Sequence, residues 1–288
     1  MIVASLSCGT MCIRDGTEFL RTDTTVLEFL KLGKFKKLES VANPQFTAPI
    51  KDSHCFLDGS AFLNHVELAR KARGASLPKD LYELPLMYQG LSAPLLGPSD
   101  SVLLRNFEWG LDFEAEVGVV TDNVPEGVSE IDAFKHIKFY CLLNDWTYRN
   151  LLPREAETGF GFIQSKPASS FAPFFVSPDE LNIKDGKLFS DVRVFRSGDL
   201  FGELQTSEMH FSFAALIAHA AKTRSLPAGT IIGSGTISNK NGNGYGCIAE
   251  KRAVEMINGT KELTPFLKSG EEIVINSKLF GEIKNQVL

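Results

Sequence analysis

Apolar and polar positions along the chain change period several times, and each change marks an element. FEAEVGVVT (113–121) alternates strictly and predicts a strand. SEIDAFKHI predicts a short helix capped by Ser129, and KFYCLLND (138–145) then reads as a second strand. SEMHFSFAALIAHAAKTRSL has the spacing of an amphipathic helix. EEIVINSKLFGEIKNQVL reads as two strands joined by a turn. Near the start, MIVASLSCGTMCIRDG predicts a strand, a turn at Asp15-Gly16 and another strand. TTVLEFLKLGKFKK follows as a short helix capped near Thr24. NPQFTAPI, with two prolines, reads as a linker. In DGSAFLNHVELARKARG the pattern predicts a turn, an N-cap at Ser60 and a helix ending at Gly74. Strands outnumber helices and do not alternate with them one for one. The expectation is an α+β fold of twisted or rolled sheets, with a small N-terminal unit over 1–50 and the main body over 51–288.

Composition narrows the partners. The 288 residues are 43% hydrophobic and 23% charged, with a formal net charge of -5. That balance holds no basic surplus for nucleic acid or an acidic membrane face. No apolar run is long enough to span a bilayer, and no basic residues precede the apolar N-terminus as in a secretory signal. The five cysteines are odd in number and lack a CxxC pair, which argues against a disulfide framework and a zinc site. A reducing, cytoplasmic compartment is the expectation.

Three segments carry chemistry. In DFEAEVGVV, Glu114 and Glu116 share one strand face while Phe113, Ala115, Val117 and Val119 take the other. The two carboxylates either line a solvated outer face or, if buried, require a compensating cation. In LLNDWTYRN, Asp145 ends an apolar strand, placed either to cap the next turn or to join a metal site. In DGSAFLNH, Asp58 precedes a helix and His65 lies about two turns along it, so the two flank one pocket or His65 is a plain surface histidine. Taken together, Asp58, Glu114, Glu116 and Asp145 make an all-oxygen set. Such a set selects a hard cation, Mg²⁺ or Ca²⁺ with Mn²⁺ as an option. By themselves, Lys166 and Glu250 read as surface charges. The run NGNGYG (241–246) reads as a turn, since it lacks the flanking strand and helix of a dinucleotide motif.

The stretches DGSAFLNHVELARKARG, PLMYQG, DFEAEVGVV, LLNDWTYRNLLP, GFGFIQSKPASSFAP and GSGTISN run in an order that resembles the fumarylacetoacetate hydrolase family, from about residue 52 to the C-terminus. The resemblance implies a mixed β-sandwich roll with few helices and the short N-terminal extension of bacterial members. It implies that Asp58, Glu114, Glu116 and Asp145 hold a divalent cation, Mg²⁺ first. It implies that His65 is the catalytic base, oriented by Glu250, and that Lys166 stands near the metal and the departing fragment. Ser170 falls where the family often carries a Thr near the metal. Tyr88, Arg149 and Thr236 match substrate contacts, and either Arg70 or Arg73 a carboxylate clamp. Leu152 departs from the family, standing where eukaryotic members carry a substrate-touching glutamine. The implied activity is metal-dependent hydrolysis of a carbon–carbon bond in a β-diketo acid or acylpyruvate by a His–Glu activated water. The alternative is decarboxylation, tautomerisation or pentenoate-type hydration on the same site. A small oxo-acid substrate, no nucleic-acid or membrane partner and a homodimer complete the expectation.

Overall fold

The structure, a computed structural model, describes residues 1–51 and 53–288. It is organised around one twelve-residue strand, Ile137–Tyr148, buried without a break from Phe139 to its end. A strand covered on both faces needs no polar alternation, which is why this segment reads as a continuous apolar run. Tyr140 and Leu142 enter one core cluster with Val117, Val119 and Phe213. Phe139, Cys141 and Leu143 enter another with Val120, Phe171 and Phe175.

The main sheet runs in the order Lys37–Ser40, Glu18–Thr22, Met11–Asp15, Ile2–Leu6, Phe175–Val176, Ile137–Tyr148, Ala115–Thr121, Ile231–Gly233, Phe56–Gly59 and Met87–Gln89. Most neighbours are antiparallel, but Ile231–Gly233 runs parallel to Phe56–Gly59, with Gly233 opposite Asp58. Ala168–Phe171 also pairs with the central strand, setting Ser169 opposite Asp145. A second, five-stranded sheet contains Asp191–Arg196, Asp199–Gln205, Asn243–Gly244, Glu272–Ser277 and Gly281–Gln286. Its Val192, Val194, Ile273 and Ile275 share a core with Val117 and Val119, so two sheets close over one interior. This is the α+β architecture that the hydrophobic pattern predicts. The predicted tail hairpin is present, and Asn243–Gly244 turns the glycine-rich run into an edge strand paired with Gly202 and Glu203.

Among the described residues, six α-helices decorate the sheets: α1 Val26–Leu32, α2 Leu63–Ala72, α3 Glu130–Ala133, α4 Leu152–Thr158, α5 Phe213–Ala220 and α6 Ile248–Ile257. Ser129 caps α3 as predicted. The cap of α1 is Thr25 rather than Thr24: Thr25 and Glu28 form a reciprocal capping box, and Thr24 adds a bond from Oγ1 to Glu28 Oε2 at 3.1 Å. Ser60 does not cap α2. Strand pairing carries the chain through Gly59, and α2 starts only after Phe62, which offers no side-chain cap. Asp58 therefore sits at a strand end, with α2 starting five residues on.

The first fifty residues hold more strand than expected. Ile2–Leu6 precedes the predicted hairpin and pairs with Phe175–Val176, while Phe46–Thr47, inside the proline segment, pairs back onto it. The N-terminal strands thereby extend the main sheet, and Val26 and Leu30 of α1 share a cluster with Phe139. Among the described residues no helix is long and apolar enough to cross a membrane. All five cysteines are free thiols.

Phe139 is 1% exposed and touches both α1, through Phe29 at 6.0 Å, and Phe175 of the sheet at 6.1 Å. Phe139→Ala should therefore lower unfolding stability by about 3–5 kcal/mol, read as a shift in the urea midpoint with an unchanged slope.

Candidate active site

Three strands bring their carboxylates to one spot. Asp58 ends Phe56–Gly59, Glu116 lies in Ala115–Thr121, and Asp145 lies late in the central strand. One oxygen from each lies within 4.8 Å of the others, and all three residues are buried. The strand between Asp58 and Glu116 carries Gly233. A Cβ there would collide with Asp58 Oδ1 and come within 2.9 Å of Glu116 Oε2, so only glycine leaves both carboxylates room to lean across. Asp58 Oδ1 accepts from Gly235 N at 3.1 Å. Asp145 accepts from Tyr88 Oη at 2.9 Å, Ser169 Oγ at 2.7 Å and Lys166 Nζ at 2.6 Å. Glu116 is fully buried and neither of its oxygens has a hydrogen-bond donor.

Glu114 stands beside this trio but is already engaged. Its Oε1 accepts from Arg149 at 2.8 Å and its Oε2 from Lys166 at 2.5 Å. The opposite face of its strand segment carries Phe113, Ala115, Val117 and Val119 into the core, as the alternation predicts. Burial of both faces, with strands on either side of Ala115–Thr121, rules out a solvated edge for Glu114 and Glu116. Arg149 is held on its other side by Asp112 Oδ2 at 2.7 Å. Asp112 also accepts from the backbone N–H groups of Ile248 and Ala249, at the start of α6. The result is an alternating run of charge, Asp112, Arg149, Glu114, Lys166 and Asp145, ending against Asp58 and Glu116.

The titration behaviour follows from that surplus of negative charge. Burial first, then the neighbouring Asp145, raise the Asp58 carboxyl to about 7 despite the pull of Lys166. Burial and the charges of Asp58 and Asp145 push Glu116 well above the ordinary carboxylate range. For Glu114, burial acts upward but Lys166 and Arg149 outweigh it and hold the carboxyl low. Burial disfavours the Lys166 charge, yet Asp145, Glu114 and Asp58 more than offset it and keep the ammonium protonated. Burial and Asp145 raise Tyr88 well above its usual value, so its hydroxyl stays a donor. Two raised carboxyls, one lacking any donor, in an all-oxygen cluster form a donor set that fits a hard divalent cation.

The remaining predicted residues surround this cluster unevenly. His65, in the first turn of α2, directs Nδ1 toward Glu250 Oε2 on α6 at 3.9 Å, beyond hydrogen-bond reach. That Nδ1 has no other partner. Glu250 is fixed by Ser238 Oγ and, at 3.4 Å, by Gly246 N, and Asn64 donates to Ser238 at 2.7 Å. Cys247 Sγ lies within 4.8 Å of the nearest His65 and Glu250 ligand atoms, its thiol pushed well up by burial and by Asp112. Thr236 is buried with an unpartnered hydroxyl. Ser170 faces away from Asp145 and accepts from Trp146 Nε1 at 2.9 Å; strand alternation gives Asp145 its neighbour Ser169 instead. Arg70 and Arg73 donate to the carbonyls of Ser76 and Ala69 at the end of α2. Sequence reasoning missed Asp112, Ser169, Ser238 and Gly233. Asp112 alone carried a signal, as a third carboxylate in step with Glu114 and Glu116; the others depend on pairings between distant strands.

Above Lys166 and Tyr88 lies a cavity of about 540 Å³ between the Met87–Gln89 strand and residues 159–163. It gives solvent-side access to the charged cluster.

With this geometry in hand, comparison with known proteins is direct. The family model described as fumarylacetoacetate (FAA) hydrolase C-terminal matches residues 54–288. The chain belongs to the fumarylacetoacetate hydrolase family. Among its relatives, the oxaloacetate tautomerase YisK of Bacillus subtilis is 27% identical, covering 96% of this chain and 85% of that protein. The fumarylacetoacetate hydrolase domain-containing protein 2 homolog of Dictyostelium discoideum is 25% identical over 86% of this chain and 75% of its own length. Among solved structures, a maleylpyruvate hydrolase from Sphingobium sp. SYK-6 in complex with manganese(II) and pyruvate superposes with a TM-score of 0.68 at 16% identity, covering 100% of this chain and 99% of that one.

Two outcomes follow from the carboxylate trio. Saturating Mg²⁺ should stabilise the protein, by about 2.7 kcal/mol at a hundredfold excess over Kd, and Gly233→Ala should abolish that gain in thermal melts. The gain should also grow with pH. Because Asp58 and Glu116 are raised above their unfolded values, they hold protons at mildly acidic pH that a cation must displace. Apparent Mg²⁺ affinity should therefore climb as pH passes from about 5 up through 7, by up to about tenfold per unit for each proton released, read by calorimetry at several pH values.

Proposed function

We propose that this protein is a divalent-cation-dependent hydrolase that cleaves the carbon–carbon bond of a 2,4-dioxo acid of the acylpyruvate type. The observation that carries the reading is the buried Asp58–Glu116–Asp145 trio, tied through Asp145 to the cavity-lining Lys166 and Tyr88, with the His65–Glu250 pair of α2 and α6 as a second cluster. One carboxylate cluster with its lysine would supply a cation-binding face, and the His65–Glu250 pair a proton-moving face. A solved maleylpyruvate hydrolase with the same fold contains manganese(II) and pyruvate, and this lends weight to an oxo-acid substrate.

In this reading Asp58, Glu116 and Asp145 would hold the cation, with Glu114, bonded to Arg149 and Lys166, as a fourth oxygen donor beside them. When bound, Mg²⁺, or Mn²⁺ or Ca²⁺ in the same oxygens, supplies Lewis-acid polarisation of the oxo-acid end. His65 takes a proton from water as the water oxygen bonds to the distal carbonyl carbon. Glu250 orients the imidazole through Nδ1 and stabilises its positive charge, after closing the present 3.9 Å gap. The carbon–carbon bond then breaks, and its electron pair passes to the pyruvate fragment as an enolate. Lys166 stabilises that developing charge in a buried setting. His65 returns its proton to the enolate carbon. Tyr88 fixes Asp145, Arg149 holds Glu114 in place, and Thr236 offers its free hydroxyl to substrate.

A second reading is keto–enol tautomerisation of oxaloacetate, favoured by the name of the Bacillus subtilis relative. It uses the same lysine and histidine without a hydrolytic water. Product identity separates the two: hydrolysis releases pyruvate and a second acid, whereas tautomerisation only alters the enol absorbance. His65→Ala should lower hydrolytic kcat on the order of 10² or more while Mg²⁺ affinity stays near that of the wild type. Asp145→Ala should weaken Mg²⁺ binding itself. Retention of full turnover by His65→Ala would overturn the hydrolase assignment.

A further inference from the structure

The cavity over Lys166 has a wall chemistry that the catalytic scheme does not use. Of the side chains lining it, Met87, Leu91, Phe160, Phe162 and Ile163 are apolar, and the only charged one among the described residues is Lys166. That ammonium is already bonded to Glu114 and Asp145. A second carboxylate on a substrate would thus enter a cavity with no cation left for it, beside a cluster richer in carboxylates than in cations. The rim is apolar as well: Phe160 is 96% exposed and Ile163 is 83% exposed, and both line the same opening. Gly159 and Gly161, both at positive φ, bracket Phe160 and turn it outward over the opening. The base of the same segment is fixed. The Glu155 carboxylate of α4 accepts from the backbone N–H groups of Ile163, Gln164 and Ser165 at 3.0, 2.7 and 3.0 Å. Phe162 packs edge-on against Tyr88 with centroids 4.9 Å apart, and Tyr88 in turn donates to Asp145. The apolar wall is therefore coupled by direct contact to the acid cluster.

We infer that this cavity is an acyl-tail subsite, selecting 2-oxo acids whose far end is an uncharged aliphatic or aryl group over those ending in a second carboxylate. The inference rests on the oxo-acid reading of the site and names the part of the substrate which that reading leaves open. The head of the molecule lies at the acid trio and Lys166. The tail runs past Tyr88 and Phe162, and Phe160 and Ile163 gain their missing apolar contacts from it. Specificity of this kind grows with chain length, since each methylene buried in such a wall is worth roughly tenfold or more in kcat/KM.

The experiment compares 2,4-dioxo acids with acetyl, hexanoyl and carboxylate-ended tails, the last matched in length to hexanoyl, on the Mg²⁺-supplemented protein. The hexanoyl compound, four methylenes longer, should exceed the acetyl compound by about a hundredfold or more in kcat/KM even if only two of the four are buried, and exceed its carboxylate-ended counterpart by about tenfold or more. Phe162→Ala should flatten that rise. A parallel measurement keeps the subsite separate from the chemistry: thermal stabilisation by non-cleavable 2-oxo acids bearing the same tails. If no dioxo acid is hydrolysed but apolar tails still give the larger thermal shift, the hydrolase reading fails and the subsite stands. Equal or better binding and turnover of the carboxylate-ended tail would overturn the subsite. So would a Phe162→Ala protein that folds normally and whose tail preference is unchanged.

Discussion

The interaction on which this site depends is the repulsion among buried carboxylates. Asp112, Glu114, Glu116, Asp58 and Asp145 are all nearly or fully removed from water, and among the described residues Arg149 and Lys166 are the cations paired with them. A low-dielectric interior amplifies both the repulsion and the two compensating pairs. The local structure is shaped by that imbalance. Arg149 is shared between Asp112 and Glu114, Lys166 between Glu114 and Asp145, and the acids left over, Asp58 and Glu116, keep their protons or need a cation. The same surplus keeps Tyr88 and Lys166 protonated, so both remain donors at neutral pH.

The sheet exists in a form that makes this tolerable. Each of the three converging carboxylates comes from a different strand, and every one of those strands is interior and buried on both faces. Strands so placed cannot relax apart to separate like charges. Gly233 and Ser169, at the register positions opposite Asp58 and Asp145, supply the space and the donor that let the carboxylates stay. On the far side, Asp112 ties the start of α6 to Arg149, which links the helix bearing Glu250 to the acid network.

Much of this was legible in the sequence. The alternation in 113–121 located Glu114 and Glu116 on one face and assigned the other face to the core. The apolar run before Asp145 identified a strand, and the ordered motifs pointed to the family that the match over residues 54–288 establishes. Other features lay beyond local pattern. Whether Glu114 and Glu116 faced solvent depended on neighbours drawn from residues 137–148 and 231–233, which no window around 113–121 contains. Ser60 has the right residue type for a cap, but strand pairing at Gly59 outbid it and delayed α2 to Leu63. Thr25 rather than Thr24 caps α1, because only the former stands three residues before Glu28. Ser169 and Ser170 are chemically identical, and register alone decides which one reaches Asp145.

The parallel pairing of Ile231–Gly233 with Phe56–Gly59 reaches across most of the chain; Gly235 and Asp58, which it brings into contact, are 177 positions apart. Contacts of such long range are entropically costly and close late in folding. Neither half of the polypeptide therefore owns the acidic pocket: an emerging or nicked chain carries acidic side chains without their convergence. On the proposed reading, ion affinity would be a property of the completed topology, and a metal would act as a latch on the finished fold rather than as a nucleus for its assembly.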